Sequence, residues 1–315
     1  MNKVERKTFN QEIKQAVQQL LGEQYVVTLQ TVRKTNETLI GLCIKERGCN
    51  IAPNIYLDRY YSAYEAGLSI WRLAEDIVEV FKENRPTQNF DSDSFLNFSK
   101  VKERIVYKII NKEKNKKLLR DVPYVSFLDL AVVFYVLVEK TQEGTATALI
   151  HHSHMASWGV GTEDLFKLAT ANTKRLFSPE IKSMRQIMRE MLVERLLDDT
   201  LEEFSAEELD EIFGMEDAED EFPMYVLSND SKLNGSATIL YEGVLSKFAD
   251  EQKSDLWLLP SSVHEWILIP AKVYRSAKEL TEMVQEVNKT QLAVGEMLSD
   301  HAYYYNRMEG KVLTV

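Results

Sequence analysis

Residues 105–138 read IVYKIINKEKNKKLLRDVPYVSFLDLAVVFYVLV, and this stretch decides the fold class. Its first six residues are mostly apolar and predict a strand, whereas residues 111–120 predict a short basic helix. The apolar run at 127–138 predicts a long buried strand. Residues 146–155 predict a further strand, and Thr162 then caps a helix. The order β-α-β-β-α indicates an α+β protein.

The C-terminal part of the chain repeats this order and adds a terminal hairpin. Asn111 and Asn229 end the first strand of each unit, and Asn172 and Asn288 lie near the ends of the closing helices. These spacings suggest two related βαββα-like units. The predicted elements of the second unit are strand 224–227, helix 236–249, strands 256–259 and 266–269, helix 277–287, and strands 301–305 and 311–315.

The N-terminal region has its own pattern. A helix is predicted from Thr8, followed by a hairpin in which KTNET joins strands 25–32 and 39–44. A second helix begins after Ser69 as its cap. Three tyrosines spaced by four predict an aromatic stripe that packs in the core, namely Tyr56, Tyr60 and Tyr64. The N-terminal region is therefore predicted to form a helix, a β-hairpin and a second helix.

These patterns divide the chain into four parts: an N-terminal α+β region (1–99), the first unit (100–182), an acidic helical connector (183–222) and the second unit (223–315). The net charge of −11 belongs to the connector, because residues 196–222 hold thirteen acids and no Lys or Arg. The rest of the chain carries +2. Opposite blocks of charge indicate binding surfaces or faces that meet each other.

Composition limits the class of protein. The N-terminus MNKVERKTFNQ has no apolar segment of a signal peptide, and no run approaches the length of a membrane span. The two cysteines, Cys43 and Cys49, form neither a disulfide framework nor a CxxC pair. The expectation is a cytoplasmic protein that does not enter a membrane.

Three of the five histidines lie in ALIHHSHM, residues 148–155. On a strand His152 and His154 would point to the same face and could hold Zn²⁺ or Fe²⁺ if further ligands converge, with His264 or His301 as donors. The alternative is the ordinary end of a strand. The first reading predicts a metal-dependent hydrolase.

Two other segments carry polar side chains that chemistry could use. The turn in LPSSVHEWILIP groups Ser261, Ser262, His264 and Glu265, which either form part of a catalytic site or simply decorate a turn. The basic segment contains Lys112, Lys114, Lys116, Lys117 and Arg120, which either bind nucleic acid or another partner, or form a solvated face.

The chain also resembles a known family. The stretches MYVLSND (224–230), DLWLLPSSVHEWILIPA (255–271) and VNKTQLAVGEMLSDHAYYY (287–305), together with NIYLDRYY and RIVYKIINKEKNKKLL upstream, resemble an uncharacterised family of Gram-positive gut bacteria known only as a domain of unknown function. The C-terminal third is more distantly similar to the YtpQ-like proteins. The resemblance implies a bacterial cytoplasmic protein with one continuous fold and brings no activity with it.

Phosphate-binding glycine loops, kinase motifs and zinc-finger spacings do not occur in the sequence. No cofactor is therefore predicted. The leading expectation is a non-enzymatic interaction or regulatory protein with an unknown protein partner. Nucleic-acid binding through residues 100–120 and a metal-dependent hydrolase remain the alternatives.

Overall fold

The computed structural model of the chain describes residues 3–50, 52–84, 92–140, 145–199, 223–274 and 276–315. Two compact units divide the chain, Met1–Asn97 and Phe98–Val315. Both contain helices and antiparallel sheets, so the α+β class predicted from the sequence is confirmed. No helix within the described ranges is both long enough and apolar enough to cross a membrane.

The first unit packs helices against a three-stranded antiparallel sheet. Its elements in chain order are α1 (Lys3–Leu21), β1 (Tyr25–Lys34), β2 (Glu37–Glu46), β3 (Asn54–Tyr56), α2 (Asp58–Glu65), α3 (Ile70–Glu83) and α4 (Ser92–Leu96). The sheet order is β1-β2-β3. Asn36 lies in the left-handed region with φ 64°, which forms the tight turn between β1 and β2. The predicted hairpin is therefore confirmed.

The core of the first unit follows the periodicity of its helices. Phe9, Ile13 and Val17 recur every four residues along α1 and are buried. On α3 the Ser69 side chain accepts a hydrogen bond from the backbone N–H of Arg72, which confirms the predicted cap. The buried face of α3 consists of Leu73, Ala74, Ile77, Val78 and Phe81.

The predicted tyrosine stripe is wrong. Tyr56 ends β3, so it lies outside the helix that carries Tyr60 and Tyr64. The buried pair on α2 is Tyr60 and Tyr61, whereas Tyr64 is 38% exposed. Helix α2 begins at Asp58, two residues after Tyr56. The helical spacing of four therefore does not extend back to Tyr56.

The second unit contains two antiparallel sheets. Its elements in chain order are α5 (Phe98–Val101), β4 (Ile105–Asn111), β5 (Tyr124–Phe127), β6 (Leu130–Lys140), β7 (Thr145–Leu149), α6 (His152–Trp158), α7 (Thr162–Leu176), β8 (Pro179–Ser183), α8 (Met184–Asp199), β9 (Tyr225–Asn229), α9 (Val244–Gln252), β10 (Leu256–Ser262), β11 (Glu265–Pro270), α10 (Ala277–Thr290), β12 (Tyr303–Asn306) and β13 (Lys311–Thr314). Short 3₁₀ helices span Lys102–Arg104, Leu118–Arg120, Gly235–Leu240 and Val294–Glu296.

The smaller sheet is built around β6. Strand β4 pairs with one edge of β6, and β5 and then β7 pair with the other edge. Helix α7 covers the outer edge of β4, because the Thr173 hydroxyl accepts the backbone N–H of Tyr107 at 3.0 Å and the Asn172 amide donates to the carbonyl of Ile105 at 3.0 Å. These bonds satisfy backbone groups that an open edge would expose.

The larger sheet has the order β13-β12-β10-β11-β9-β8, with every neighbouring pair antiparallel. Trp266 on β11 and Tyr303 on β12 are fully buried, and their rings meet edge to face at 5.3 Å between centroids. The predicted terminal hairpin is confirmed as β12 and β13.

Two predicted elements of the smaller sheet need correction. The apolar run at 127–138 is not one strand, because the chain reverses at Leu128 and Asp129 to form the β5–β6 hairpin. Residues 112–117 form turns rather than an α-helix and lead into the 3₁₀ helix at 118–120. The reason is local, since the side chains of Asn111 and Asn115 bond to backbone groups that a helix would need.

The two predicted βαββα-like units share one feature of strand order. Strand β4 pairs with β6, and β6 pairs with β5, while β9 pairs with β11, and β11 pairs with β10. The predicted helix 236–249 is instead a 3₁₀ helix followed by α9. The relation between the units stays a prediction. The acidic connector begins with α8, and its residues 200–222 lie outside the described residues.

Candidate functional site: a basic cleft beside the β5–β6 hairpin

The turns after β4 and the β5–β6 hairpin enclose an open cleft of about 500 Å³. Leu128, at the tip of the hairpin, has φ 54°, and its side chain is 40% exposed. The residues that line the cleft are Lys112, Glu113, Lys116, Leu119, Arg120, Tyr124, Leu128 and Asp129. Basic, aromatic and acidic side chains therefore share one surface.

Two buried asparagines fix the backbone that carries the bases. The Asn111 side-chain oxygen accepts the backbone N–H of Lys114 at 2.8 Å, and its amide donates to the carbonyl of Leu298 at 3.0 Å. The Asn115 amide donates to the carbonyl of Asn111 at 2.7 Å. Because both asparagines are buried and bonded to the main chain, the turns have a defined shape rather than that of a loose loop.

The five predicted bases separate into two groups. Lys112, Lys116 and Arg120 line the cleft. Lys114 instead forms an ion pair with Asp300, with its Nζ 3.5 Å from the carboxylate. Lys117 is exposed and does not line the cleft. The structure thus brings three of the five bases together.

Each base in the cleft has a different local environment. The ammonium of Lys112 donates to the Ser126 hydroxyl at 2.9 Å and lies 5.9 Å from the centre of the Tyr124 ring. Lys116 forms an ion pair with Glu113 on the same turn. Arg120 is exposed and makes no ion pair with any residue that the structure describes. Arg120 is therefore the base with its charge most available to a ligand.

Asp129 links the cleft to the larger sheet. Its carboxylate accepts hydrogen bonds from the hydroxyls of Tyr303 and Ser299, both fully buried, although the chain separates these residues by 174 and 170 positions. Burial raises the pKa of Tyr303 far above its usual range, and the bond to Asp129 raises it further. Tyr303 therefore stays a neutral donor.

His301 lies beside this network without forming a catalytic triad. Its Nδ1 is 3.3 Å from the Ser299 hydroxyl, and its Nε2 is 3.6 Å from the Asp129 carboxylate. In a triad the serine is exposed and gives its proton to the histidine. Here Ser299 is fully buried and donates to Asp129 itself. The cluster therefore holds two sheets together rather than activating a nucleophile.

The histidine segment is not the strand that the sequence predicted. Strand β7 ends at Leu149, where its pairing with β6 ends, and α6 begins at His152. The backbone N–H of His151 donates to Nδ1 of His154 at 3.1 Å, which caps the start of α6. Burial lowers the pKa of His154, and the neighbouring His151 lowers it further. Neutral His154 is the form that accepts this bond.

The geometry assumed for the predicted metal pair is therefore wrong. His152 and His154 are two residues apart on a helix, where successive side chains are about 100° apart, so they point to nearly opposite sides. His152 is exposed, whereas His154 packs beside Trp158. Among the residues that the structure describes, no three His, Cys, Asp or Glu side chains are grouped so that they could hold a metal ion.

The second predicted site is a tightly bonded turn between β10 and β11. The Ser262 hydroxyl accepts the backbone N–H of His264 at 3.0 Å, and Ser261 donates to Glu265 at 3.2 Å. Nδ1 of His264 accepts the backbone N–H of Asn234 at 3.1 Å. These side chains form hydrogen bonds with backbone N–H groups and with each other. Neither Ser261 nor Ser262 forms a hydrogen bond with the His264 ring. Their contacts are those of a structural turn.

A comparison with known families assigns the chain to one of them. A family model described as a family of unknown function, DUF5688, matches residues 6–307. The chain belongs to this family. No curated protein matches the chain, and no solved structure matches it. Membership in DUF5688 brings no activity or binding residue with it.

Reasoning from the sequence missed half of the cleft. The predicted strand 127–138 contains Leu128 and Asp129, and no predicted element contains Tyr124. An aspartate inside an apolar run is a signal for a turn, and Asp129 could have indicated the hairpin. No local signal connects Asp129 to Ser299 and Tyr303, because only the arrangement of the two sheets brings them together.

Proposed function

We propose that this member of DUF5688 is a non-enzymatic cytoplasmic interaction or regulatory protein that binds an anionic partner through the basic cleft. A protein partner with acidic residues is the leading candidate. The observation that carries the proposal is the convergence of Lys112, Lys116 and Arg120 on one cleft. The bacterial origin and the similarity to YtpQ-like proteins that the resemblance implies stay predictions.

Charge supports this proposal. Residues 112–120 contain five bases and one acid, in a chain whose net charge is −11. A local patch of opposite sign attracts an anionic partner at long range and orients it during the encounter. Such a patch speeds association and gives it a strong dependence on salt concentration.

The fixed backbone of the turns also supports binding. Ordering flexible segments at an interface costs free energy that weakens the complex. Asn111 and Asn115 already hold the turns through buried hydrogen bonds. The bases therefore need only to order their side chains when a partner binds.

The test uses fluorescently labelled poly-L-glutamate as an acidic protein mimic and measures its anisotropy at two salt concentrations. The cleft variant is Lys116→Glu/Arg120→Glu. The control is Lys247→Glu/Lys278→Glu, which changes the net charge equally at exposed lysines on α9 and α10. We expect the cleft variant to bind at least tenfold more weakly and the control to stay within threefold of the unchanged protein.

Equal losses in the two variants would show that binding follows net charge alone, and the proposal would be wrong. The same titration with a labelled oligothymidylate separates the partner classes. If the oligonucleotide binds in a cleft-dependent manner and polyglutamate does not, nucleic-acid binding through the basic segment replaces the protein partner.

A further inference from the structure

We infer that the cleft takes a nucleotide, with its phosphates at the basic side chains, its base against Tyr124 and Leu128, and its sugar hydroxyls near Asp129. This inference rests on the proposed function, because it names the chemistry of the anion that the same cleft binds. A simple polyanion would use the bases alone. A nucleotide would also contact Tyr124, Leu128 and Asp129.

The basic side of the cleft suits phosphate groups. A lysine ammonium has three N–H donors, and Lys112 uses one of them on Ser126. Arg120 presents a planar fork of donors that matches two phosphate oxygens, and it makes no ion pair with a described residue. Lys116 adds a third positive charge. Its charge is offset by its ion-pair partner Glu113, which also lines the cleft, so Lys112 and Arg120 supply the positive charge for a diphosphate.

The apolar side of the cleft suits a planar ring. Tyr124 is 36% exposed and Leu128 is 40% exposed, although both are large apolar residues beside charged ones. Leucine rarely adopts a positive φ, and at 54° the hairpin holds this side chain at its tip. An exposed aromatic ring beside bases that bind phosphate is the arrangement on which nucleobases stack.

Asp129 provides acceptors that a phosphate cannot use. A carboxylate has about four acceptor sites, and the hydroxyls of Tyr303 and Ser299 occupy two of them. The Asp129 side chain is 32% exposed and lines the cleft, so the remaining sites are accessible. Sugar hydroxyls are neutral donors of the kind that this carboxylate can accept.

The size of the cleft agrees with this ligand. Pockets for small molecules and cofactors have volumes of roughly 300–1,000 Å³. The cleft has about 500 Å³. A mononucleotide therefore fits in it.

Calorimetric titration of the full chain tests the inference with ADP, pyrophosphate and adenosine as separate probes. ADP should bind at least tenfold more tightly than pyrophosphate, and adenosine more weakly than either. Arg120→Ala should weaken both phosphate probes at least tenfold. The matched control Lys278→Ala, which removes an exposed base on α10, should leave all three affinities unchanged.

Two variants of the apolar wall decide whether the base is recognised. Tyr124→Leu and Leu128→Gly should each reduce the preference for ADP over pyrophosphate to less than threefold and leave pyrophosphate binding within twofold. Glycine at 128 keeps the positive φ, so this second variant should preserve the hairpin if Tyr124→Leu fails to fold.

The inference would be wrong if ADP bound no more tightly than pyrophosphate. It would also be wrong if the preference for ADP over pyrophosphate persisted in both Tyr124→Leu and Leu128→Gly. If cleft-dependent binding of polyglutamate persists in that case, the proposed function stands and only the nucleotide is rejected. If neither probe binds through the cleft, both proposals fail.

Discussion

Removing the Asp129 carboxylate tests whether the network behind the cleft joins the two sheets of the second unit. Tyr303 and Ser299 are fully buried, and both donate their hydroxyl protons to this carboxylate. Asp129→Ala leaves the buried Tyr303 hydroxyl without its acceptor, whereas the Ser299 hydroxyl still has Nδ1 of His301 at 3.3 Å. Tyr303→Phe removes one donor and leaves the carboxylate with Ser299 and solvent. The double variant completes a thermodynamic cycle.

The magnitude follows from burial. An unpaired buried polar group costs about 1–3 kcal/mol, so the orphaned Tyr303 hydroxyl should lower the free energy of unfolding by about 1–3 kcal/mol in Asp129→Ala. Tyr303→Phe should cost only about 1.5 kcal/mol, because the Asp129 side chain is 32% exposed and water can replace the lost donor. In the double variant the hydroxyl and its acceptor are both gone, so neither single-variant cost applies, which predicts a coupling free energy of about 2.5–4.5 kcal/mol.

The assay is urea unfolding followed by tryptophan fluorescence. Trp266 packs against Tyr303 with ring centroids 5.3 Å apart and Trp257 lies on β10, so two of the four tryptophans report on the sheet under test. Far-UV circular dichroism checks that each variant keeps its secondary structure before unfolding. A coupling free energy below about 0.5 kcal/mol would refute the reasoning, because independently acting sites add within that limit.

Three further predictions concern stability. Gly235→Ala should cost about 1–3 kcal/mol in urea unfolding, because its Cβ would lie 2.4 Å from the carbonyl oxygen of His264. Gly22→Ala, at φ +75° with nothing within 4 Å, serves as the control for backbone strain, and a smaller loss at Gly235 than at Gly22 would contradict the close packing. Ser69→Ala should cost about 1 kcal/mol because it removes the cap of α3, and an unchanged urea midpoint would show that the cap is dispensable. Burial raises the pKa of Tyr107 above its ordinary value of 10.0, so its contribution to stability is complete below pH 10 and is lost as pH rises and the unfolded chain ionises first. In Tyr107→Phe the fall in unfolding free energy between pH 10 and 11.5 should be shallower by up to about 1.4 kcal/mol per pH unit, and identical slopes would argue against a buried neutral hydroxyl.

Local patterns predicted the elements whose cores form within a short stretch of chain. The apolar face of α3 recurs at helical spacing, and a polar cap precedes it. The hairpin of β1 and β2 turns at an asparagine with a positive φ, which is a conformation that asparagine tolerates. In both cases neighbouring residues supply the interactions that decide the structure.

Prediction failed where side chains or distant strands compete with local propensity. Residues 112–117 contain good helix formers, but two buried asparagines bond to the backbone and hold turns instead. The ALIHHSHM segment leaves the sheet because the pairing of β7 with β6 ends at Leu149. Beyond Tyr135 the same edge of β6 is paired with β5, so β7 cannot continue there, and the sequence of one strand does not contain that information.

For the candidate site, the sequence by itself determined which residues carry positive charge and that they lie close together in the chain. The tertiary structure decided that only Lys112, Lys116 and Arg120 share a cleft with Tyr124 and Asp129. It also placed Tyr303, 174 positions away, against the Asp129 carboxylate. The physical reason is that charge and periodicity are local properties of the chain, whereas the meeting of two sheets depends on the register and packing of strands far apart in sequence.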